Sequence, residues 1–221
     1  GCEDARPVLE DVDGHELIAP VERFGVRMLS IGFFVNKESP VLWRGSMASN
    51  ALKQLIADTN WGELDYFILD TPPGTSDIQL TLLQTLAITG AVIVSTPQNV
   101  ALADARKGID MYRNEKVNVP ILGLVENMAW FTPAELPENK YYIFGKDGVK
   151  QLAEEMQTPL LAQIPLVQSI CENGDKGTPA AMNADTMTGQ AFINLAQAVV
   201  TVTNRRNKEQ SPTKIVEIKK G

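Results

Sequence analysis

The chain reads as an α/β domain, a three-layer arrangement with a mainly parallel sheet and helices on both faces. Two observations predict it. Short apolar runs recur between longer segments of helical periodicity, the alternation expected when crossover helices join parallel strands. Runs such as Ala91-Val92-Ile93-Val94-Ser95 are apolar at successive positions, so both faces of the strand need cover. A length of 221 residues with ordinary apolar content suffices for one core.

In order, Met28 to Val35 reads as a strand and Ala48 to Asp58 as a helix ending before Trp61-Gly62. Tyr66-Phe67-Ile68-Leu69 is the next strand, Ile78 to Thr85 a helix and Ala91 to Ser95 a buried strand. Ala101 to Asn114 follows as an amphipathic helix with its Asp, Lys and Arg residues outward, and Ile121 to Val125 as another strand. Pro133 and Pro137 break regular structure in a long insertion from Ala129 to Tyr142. Gly148 to Met156 is helical, Pro159 to Ile164 a short strand, and Thr188 to Val202 a closing helix. The domain is therefore expected over 1–203. The charged tail over 204–221, apolar only at Ile215, Val216 and Ile218, is expected to stay mobile until something pairs with it.

Composition narrows the function. No apolar run approaches the roughly 20 residues of a membrane helix, and the first residues lack signal-peptide character, so a cytoplasmic protein is expected. A net charge of −7 argues against nonspecific binding to nucleic acid or anionic membrane. Cys2 and Cys171 form no C-x-x-C pair and no disulfide framework, which suits a reducing compartment and two inert thiols. The single histidine, His15, sits in a polar segment and reads as a turn residue.

In doubly covered parallel sheets, ligands sit at the carboxyl ends of the strands. Three such ends carry residues capable of chemistry: Asp70-Thr71-Pro72-Pro73-Gly74, Thr96-Pro97-Gln98 and Glu126-Asn127-Met128. Asp-Thr-Pro also initiates turns and Asn also ends strands; it is the recurrence on successive strands that points to a site. A nucleoside triphosphatase needs a carboxylate at a strand tip for metal-bound water and a Gly amide nearby to sense the terminal phosphate. Asp70 and Gly74 suit those roles. No G-x-x-x-x-G-K-[ST] phosphate cradle occurs in the 221 residues, and Gly145 to Lys150 has the wrong spacing and reads as a turn entering a helix.

Further segments make a resemblance specific: Val41-Leu42-Trp43-Arg44-Gly45-Ser46-Met47, Asp70 to Asp77, Ser95-Thr96-Pro97-Gln98, Glu126-Asn127-Met128, Ile143-Phe144-Gly145, Ile164-Pro165-Leu166 and Gly174 to Pro179. In this order they resemble the Mrp/ApbC-type iron-sulfur cluster carriers among the MinD and ParA-like P-loop ATPases. The resemblance implies a P-loop NTPase-like fold, incomplete at its N-terminus, and ATP with Mg as cofactors. It makes Asp70 an outer-sphere magnesium residue and Gly74 the γ-phosphate switch. Asn127 becomes an adenine contact, with Pro165 and Leu166 closing over the base and Thr96-Pro97 beside the same pocket. It also implies a homodimer and apo iron-sulfur proteins as recipients.

The sequence departs from that family in two ways. The phosphate loop, first helix and following acidic magnesium motif lie upstream of everything matched, so a truncated chain is expected, one that alone neither binds ATP tightly nor hydrolyses it. Loss of a first strand also exposes sheet edges, which favours self-association. The family's C-x-x-C falls where this chain reads Trp130 to Tyr142, without a cysteine, and Glu135 and Glu138 are hard donors unsuited to iron-sulfur. No iron-sulfur ligands are thus identified. Two alternatives fit less well: a partitioning or positioning ATPase of the MinD/ParA type, and a non-catalytic module that binds partners through Trp130, Phe131, Tyr141 and Tyr142.

Overall fold

The computed structural model describes residues 2, 4–34, 46–133, 135–136 and 138–217, and the chain divides into two units, Gly1–Thr85 and Leu86–Gly221.

The first unit opens with two antiparallel hairpins. Strands β1 (Leu9–Val12) and β2 (His15–Ile18) pair from Val12↔His15 to Leu9↔Ile18. Strands β3 (Val21–Arg23) and β4 (Val26–Met28) pair from Arg23↔Val26 to Val21↔Met28. Each two-residue turn has both residues at positive φ, Asp13-Gly14 at 54° and 82° and Phe24-Gly25 at 53° and 74°. That geometry matches the right-handed twist of the flanking strands, and Asp-Gly is its strongest sequence signal. His15, expected in a turn, is the first residue of β2. The strand expected from Met28 to Val35 is not formed: β4 ends at Met28, and a 3-10 turn at Ile31–Phe33 is capped by Ser30, whose Oγ accepts from the Gly32 N–H. Val35 and Val41-Leu42-Trp43-Arg44-Gly45 lie outside the described residues.

Helix α1 (Ser46–Ala57) and helix α2 (Asp77–Thr85) pack together, joined by the Thr81 and Ser49 hydroxyls at 2.9 Å. Asp77 in the first turn of α2 suits the positive end of the helix dipole. The strand expected at Tyr66–Leu69 is also not formed. Among the described residues none pairs with it, and Ile68 is 85% exposed. An extended segment becomes a strand only when a neighbour takes its N–H and C=O groups, and none does so here among the described residues.

The second unit is built on a parallel sheet in the order β5 (Ala91–Ser95), β6 (Ile121–Glu126), β7 (Leu160–Gln163). Successive residues of β6 point to opposite faces, and Leu124 and Val125 are both buried, so both faces are covered. On one side Leu124 joins Leu102, Ala105 and Ile109 of α3 (Asn99–Arg113) and Val149, Leu152 and Ala153 of α4 (Gly148–Glu155) in one apolar cluster. Burying each large side chain of this kind is worth about 1.5–3 kcal/mol. The helix expected at Ala101–Asn114 and the turn and helix expected at Gly145 to Met156 are these two elements. Strand β5 is less buried than its apolar run suggests, with Val94 59% exposed; among the described residues it has a single sheet neighbour.

A helix not anticipated from the sequence, α5 (Gln168–Asp175), carries Cys171. Helix α6 (Met187–Glu209) contacts β6 and β7 and is longer than the expected Thr188–Val202 segment. Thr186 caps it by accepting from the Gly189 N–H at 3.0 Å, and Arg206 and Lys208 in its last turn suit the negative end of the dipole. Residue 203, the expected domain limit, lies inside this helix. Beyond it Thr213 Oγ1 donates to the Ile88 carbonyl at 2.7 Å and Val216 is buried, so part of the expected tail is packed. No helix among the described residues is long and apolar enough to cross a membrane.

Candidate functional site: the rim of the parallel sheet

Because β5, β6 and β7 are parallel, their carboxyl ends share one rim. The chain leaves β5 at Ser95 into Thr96-Pro97, β6 at Glu126 into Asn127, and β7 at Gln163 into Ile164-Pro165-Leu166. Backbone bonds continue the pairing past the strand ends. The Asn127 N–H donates to the Ser95 carbonyl at 2.8 Å, Ala129 N–H to Ile164 at 3.0 Å and Leu166 N–H to Trp130 at 2.8 Å. The structure thus brings Thr96, Pro97, Asn127, Pro165 and Leu166, five of the sequence-predicted site residues, onto adjacent strand ends. Pro97 and Pro165 are buried, whereas Thr96 and Asn127 are partly open to solvent. An Asn amide offers a donor and an acceptor side by side, the pattern complementary to an adenine edge.

The rim is held from beneath by Glu126. Its side chain is 0% exposed. One carboxylate oxygen accepts from the Val149 N–H at 2.7 Å and the other from Gln163 Nε2 at 2.7 Å, and the same Gln163 amide reaches Asp147 Oδ1 at 3.1 Å. Val149 lies in the first turn of α4, so the carboxylate satisfies an N–H that the helix cannot, at the positive end of its dipole. Helix α4 also seats directly on the β5 exit. A Cβ at Gly148 would stand 2.3 Å from the Pro97 carbonyl oxygen, so this contact requires glycine. Glu126 and Asn127 are neighbours in sequence at one strand end, yet the first is buried and the second partly open to solvent.

Asp70 and Gly74 belong to the first unit and lie on no sheet strand. Asp70 is exposed, at the end of the unpaired Tyr66–Leu69 segment. The turn that follows is organised by Gln79, a residue the sequence reading passed over. Gln79 is 2% exposed, and its Nε2 donates to the Pro72 and Gly74 carbonyls at 2.6 and 3.0 Å. Its Oε1 accepts from the Ser76 N–H at 2.7 Å and from the Ser76 hydroxyl. Gly74 has φ of +84° with open space where a Cβ would be, so only backbone conformation demands glycine there. No local sequence signal marks Gln79; its amide copies the bonding pattern of a backbone, donating to two carbonyls and accepting from an N–H.

The expected irregular insertion is pinned at one point, where Phe131 pairs with both Tyr141 and Leu166. The Lys140 ammonium lies 3.8 Å from the centre of the Trp130 ring, and Tyr141 and Tyr142 are exposed. Cys2 and Cys171 lie in different units, and no group of three or more metal-ligating residues occurs among the described residues. A cavity of about 310 Å³ in the first unit, lined by Glu10, Glu22, Arg27 and Asn60 among others, contains none of the predicted site residues. Its polar groups have partners of their own: Asn60 donates to Glu10 at 2.7 Å, and Arg27 donates to the Trp61 carbonyl and forms an ion pair with Glu22 at 3.9 Å.

Comparison with known proteins identifies the family. The family described as ParA, NUBPL iron-transfer P-loop NTPase, matches residues 2–200. An iron-sulfur cluster carrier protein of Aquifex aeolicus is 43% identical over 194 residues, 86% of this chain and 52% of that protein. The iron-sulfur cluster transfer protein NUBPL of Mus musculus is 41% identical over 191 residues, 86% of this chain and 59% of that protein. A nucleotide-binding protein of Archaeoglobus fulgidus solved in complex with ADP is 32% identical with a TM-score of 0.62, over 76% of this chain and 64% of that one. The cell division ATPase MinD of Pyrococcus furiosus, 23% identical with a TM-score of 0.51 over 70% of this chain and 59% of that one, shows the fold alone. The chain spans about half the length of the curated relatives it matches. With its α/β P-loop NTPase fold and a match over 2–200, the chain belongs to the ParA family of NUBPL iron-transfer P-loop NTPases.

Proposed function

We propose that this chain supplies the base-binding part of an adenine-nucleotide site in an iron-sulfur cluster carrier whose work is coupled to ATP. The observation that carries this reading is the convergence of Thr96-Pro97, Asn127 and Pro165-Leu166 on one rim of a parallel sheet. The similarity to proteins named as cluster carriers or transfer proteins, and to one solved with ADP, supports it. In this reading Asn127 reads the base edge, Pro97 and Pro165 wall it, and Leu166 closes over it. Asp70 holds magnesium through water, which an exposed carboxylate suits, and Gly74 senses the terminal phosphate. A phosphate that orders the Gly74 turn gives a two-state switch for taking up or releasing cluster.

Charge limits what the chain does alone. Its 221 residues contain no G-x-x-x-x-G-K-[ST] loop to neutralise a triphosphate, so the chain by itself does not turn ATP over. The residues between Trp130 and Tyr142 include no thiolate, so they do not fit an iron-sulfur cluster as the family's C-x-x-C would. The proposal includes a homodimer, apo iron-sulfur proteins as recipients and a cytoplasmic setting.

The test is titration of the chain with adenosine and, separately, guanosine, followed by amide NMR. Adenosine should shift the Asn127 and Leu166 amides and guanosine should not. Equal response to both, or none to either, removes the base site.

A further inference from the structure

We infer that Glu126 is a positioning residue for the base: its buried carboxylate locks the ends of three elements so that Asn127 and the Pro165-Leu166 edge stand at a fixed separation. The inference rests on the base-site reading above and deepens it. A carboxylate with no exposed surface and no cation among its described bonding partners is an expensive group to keep in a core. Here every bond it makes ends beside a rim residue. Glu126 is the neighbour of Asn127; Gln163 lies two residues before Pro165; and Val149 follows Gly148, which abuts the Pro97 carbonyl. The Glu126 main chain completes the clamp, since its carbonyl accepts from the Ile164 N–H at 2.8 Å.

An apolar residue would pack at this place but fix nothing. The carboxylate instead specifies two directions at once, toward the first turn of α4 and toward the end of β7. Gln163 extends the network by donating to both Glu126 and Asp147, whose αL backbone, φ 57°, sets the entry to α4. The three side chains form one polarity-ordered chain: a carboxylate, an amide donor and a second carboxylate.

That ordering supplies the experiment. Glu126→Gln keeps the shape but presents an amide NH₂ to the NH₂ of Gln163, so one contact becomes repulsive. The triple change Glu126→Gln, Gln163→Glu, Asp147→Asn keeps an oxygen for the Val149 N–H and restores both side-chain hydrogen bonds with donor and acceptor exchanged. Adenosine affinity, read from the Asn127 and Leu166 amide shifts, should fall about tenfold in Glu126→Gln. It should return to within about threefold of the parent in the triple variant. Should Glu126→Gln fail to fold, Gln163→Leu keeps the Val149 bond, removes the β7 bond and should show the same loss. Unchanged affinity in the single variants overturns the inference while leaving the base site intact, and so does failure of the triple variant to recover. If the parent itself does not respond to adenosine, the base-site reading falls and the inference with it.

Discussion

The Asp70–Asp77 turn and the rim at Asn127 carry similar residues, yet they are held in opposite ways. Gln79 organises the turn through partners three, five and seven residues away in sequence. Glu126 organises the rim through partners 23 and 37 residues away, on different elements. A turn closed by local bonds can open and reclose without disturbing a core. A rim closed by distant ones moves only if the sheet and α4 move together.

The comparison predicts a graded series of effects, each read as a local opening free energy by hydrogen exchange. Leu124→Ala, at the centre of the cluster beneath the rim, should cost about 2–5 kcal/mol and expose amides of β6, α3 and α4 together. If only β6 responded, the rim would not be one cooperative body. Gln79→Ala should cost about 1–3 kcal/mol, because it leaves the Pro72 and Gly74 carbonyls and the Ser76 N–H without their partner. Its effect should stop at the turn and the start of α2; spread through the rest of that helix would end the description of the turn as a local device. Gly74→Ala should cost about 1–2 kcal/mol for the positive φ alone, since no neighbouring atom obstructs the new methyl. Smallest of all, Ile68→Ala should change stability by less than about 0.5 kcal/mol, as befits a side chain that is 85% exposed. A loss above about 2 kcal/mol there would mean that Tyr66–Leu69 is paired in solution after all.

Ile68 and Leu124 also mark where reading the sequence succeeds and fails. Both sit in short apolar runs that end at a residue fit for chemistry. In the second unit such runs became β5, β6 and β7, in the expected order and with helices between them, because each run found a parallel neighbour. In the first unit the same pattern at Tyr66–Leu69 found none among the described residues. The hairpin at Asp13-Gly14 carries its signal in the turn dipeptide, an antiparallel feature that the recurrence of apolar runs does not register. The rim residues were legible because strand ends are local features. Gln79 and Glu126 were not, since nothing in the residues flanking a side chain tells which polar groups it will satisfy, whether a few residues away or on another element.

By itself, the sequence determined the α/β class, the helices α1 to α4, the order of the second unit's strands and the residues at their carboxyl ends. These follow from periodicity and turn chemistry, which act over a few residues. Only the tertiary structure decided which apolar runs became strands, that Glu126 lies under the rim rather than in it, and that the closing helix runs on to Glu209. Each depends on a partner far along the chain, and pairing energy belongs to the pair rather than to either segment.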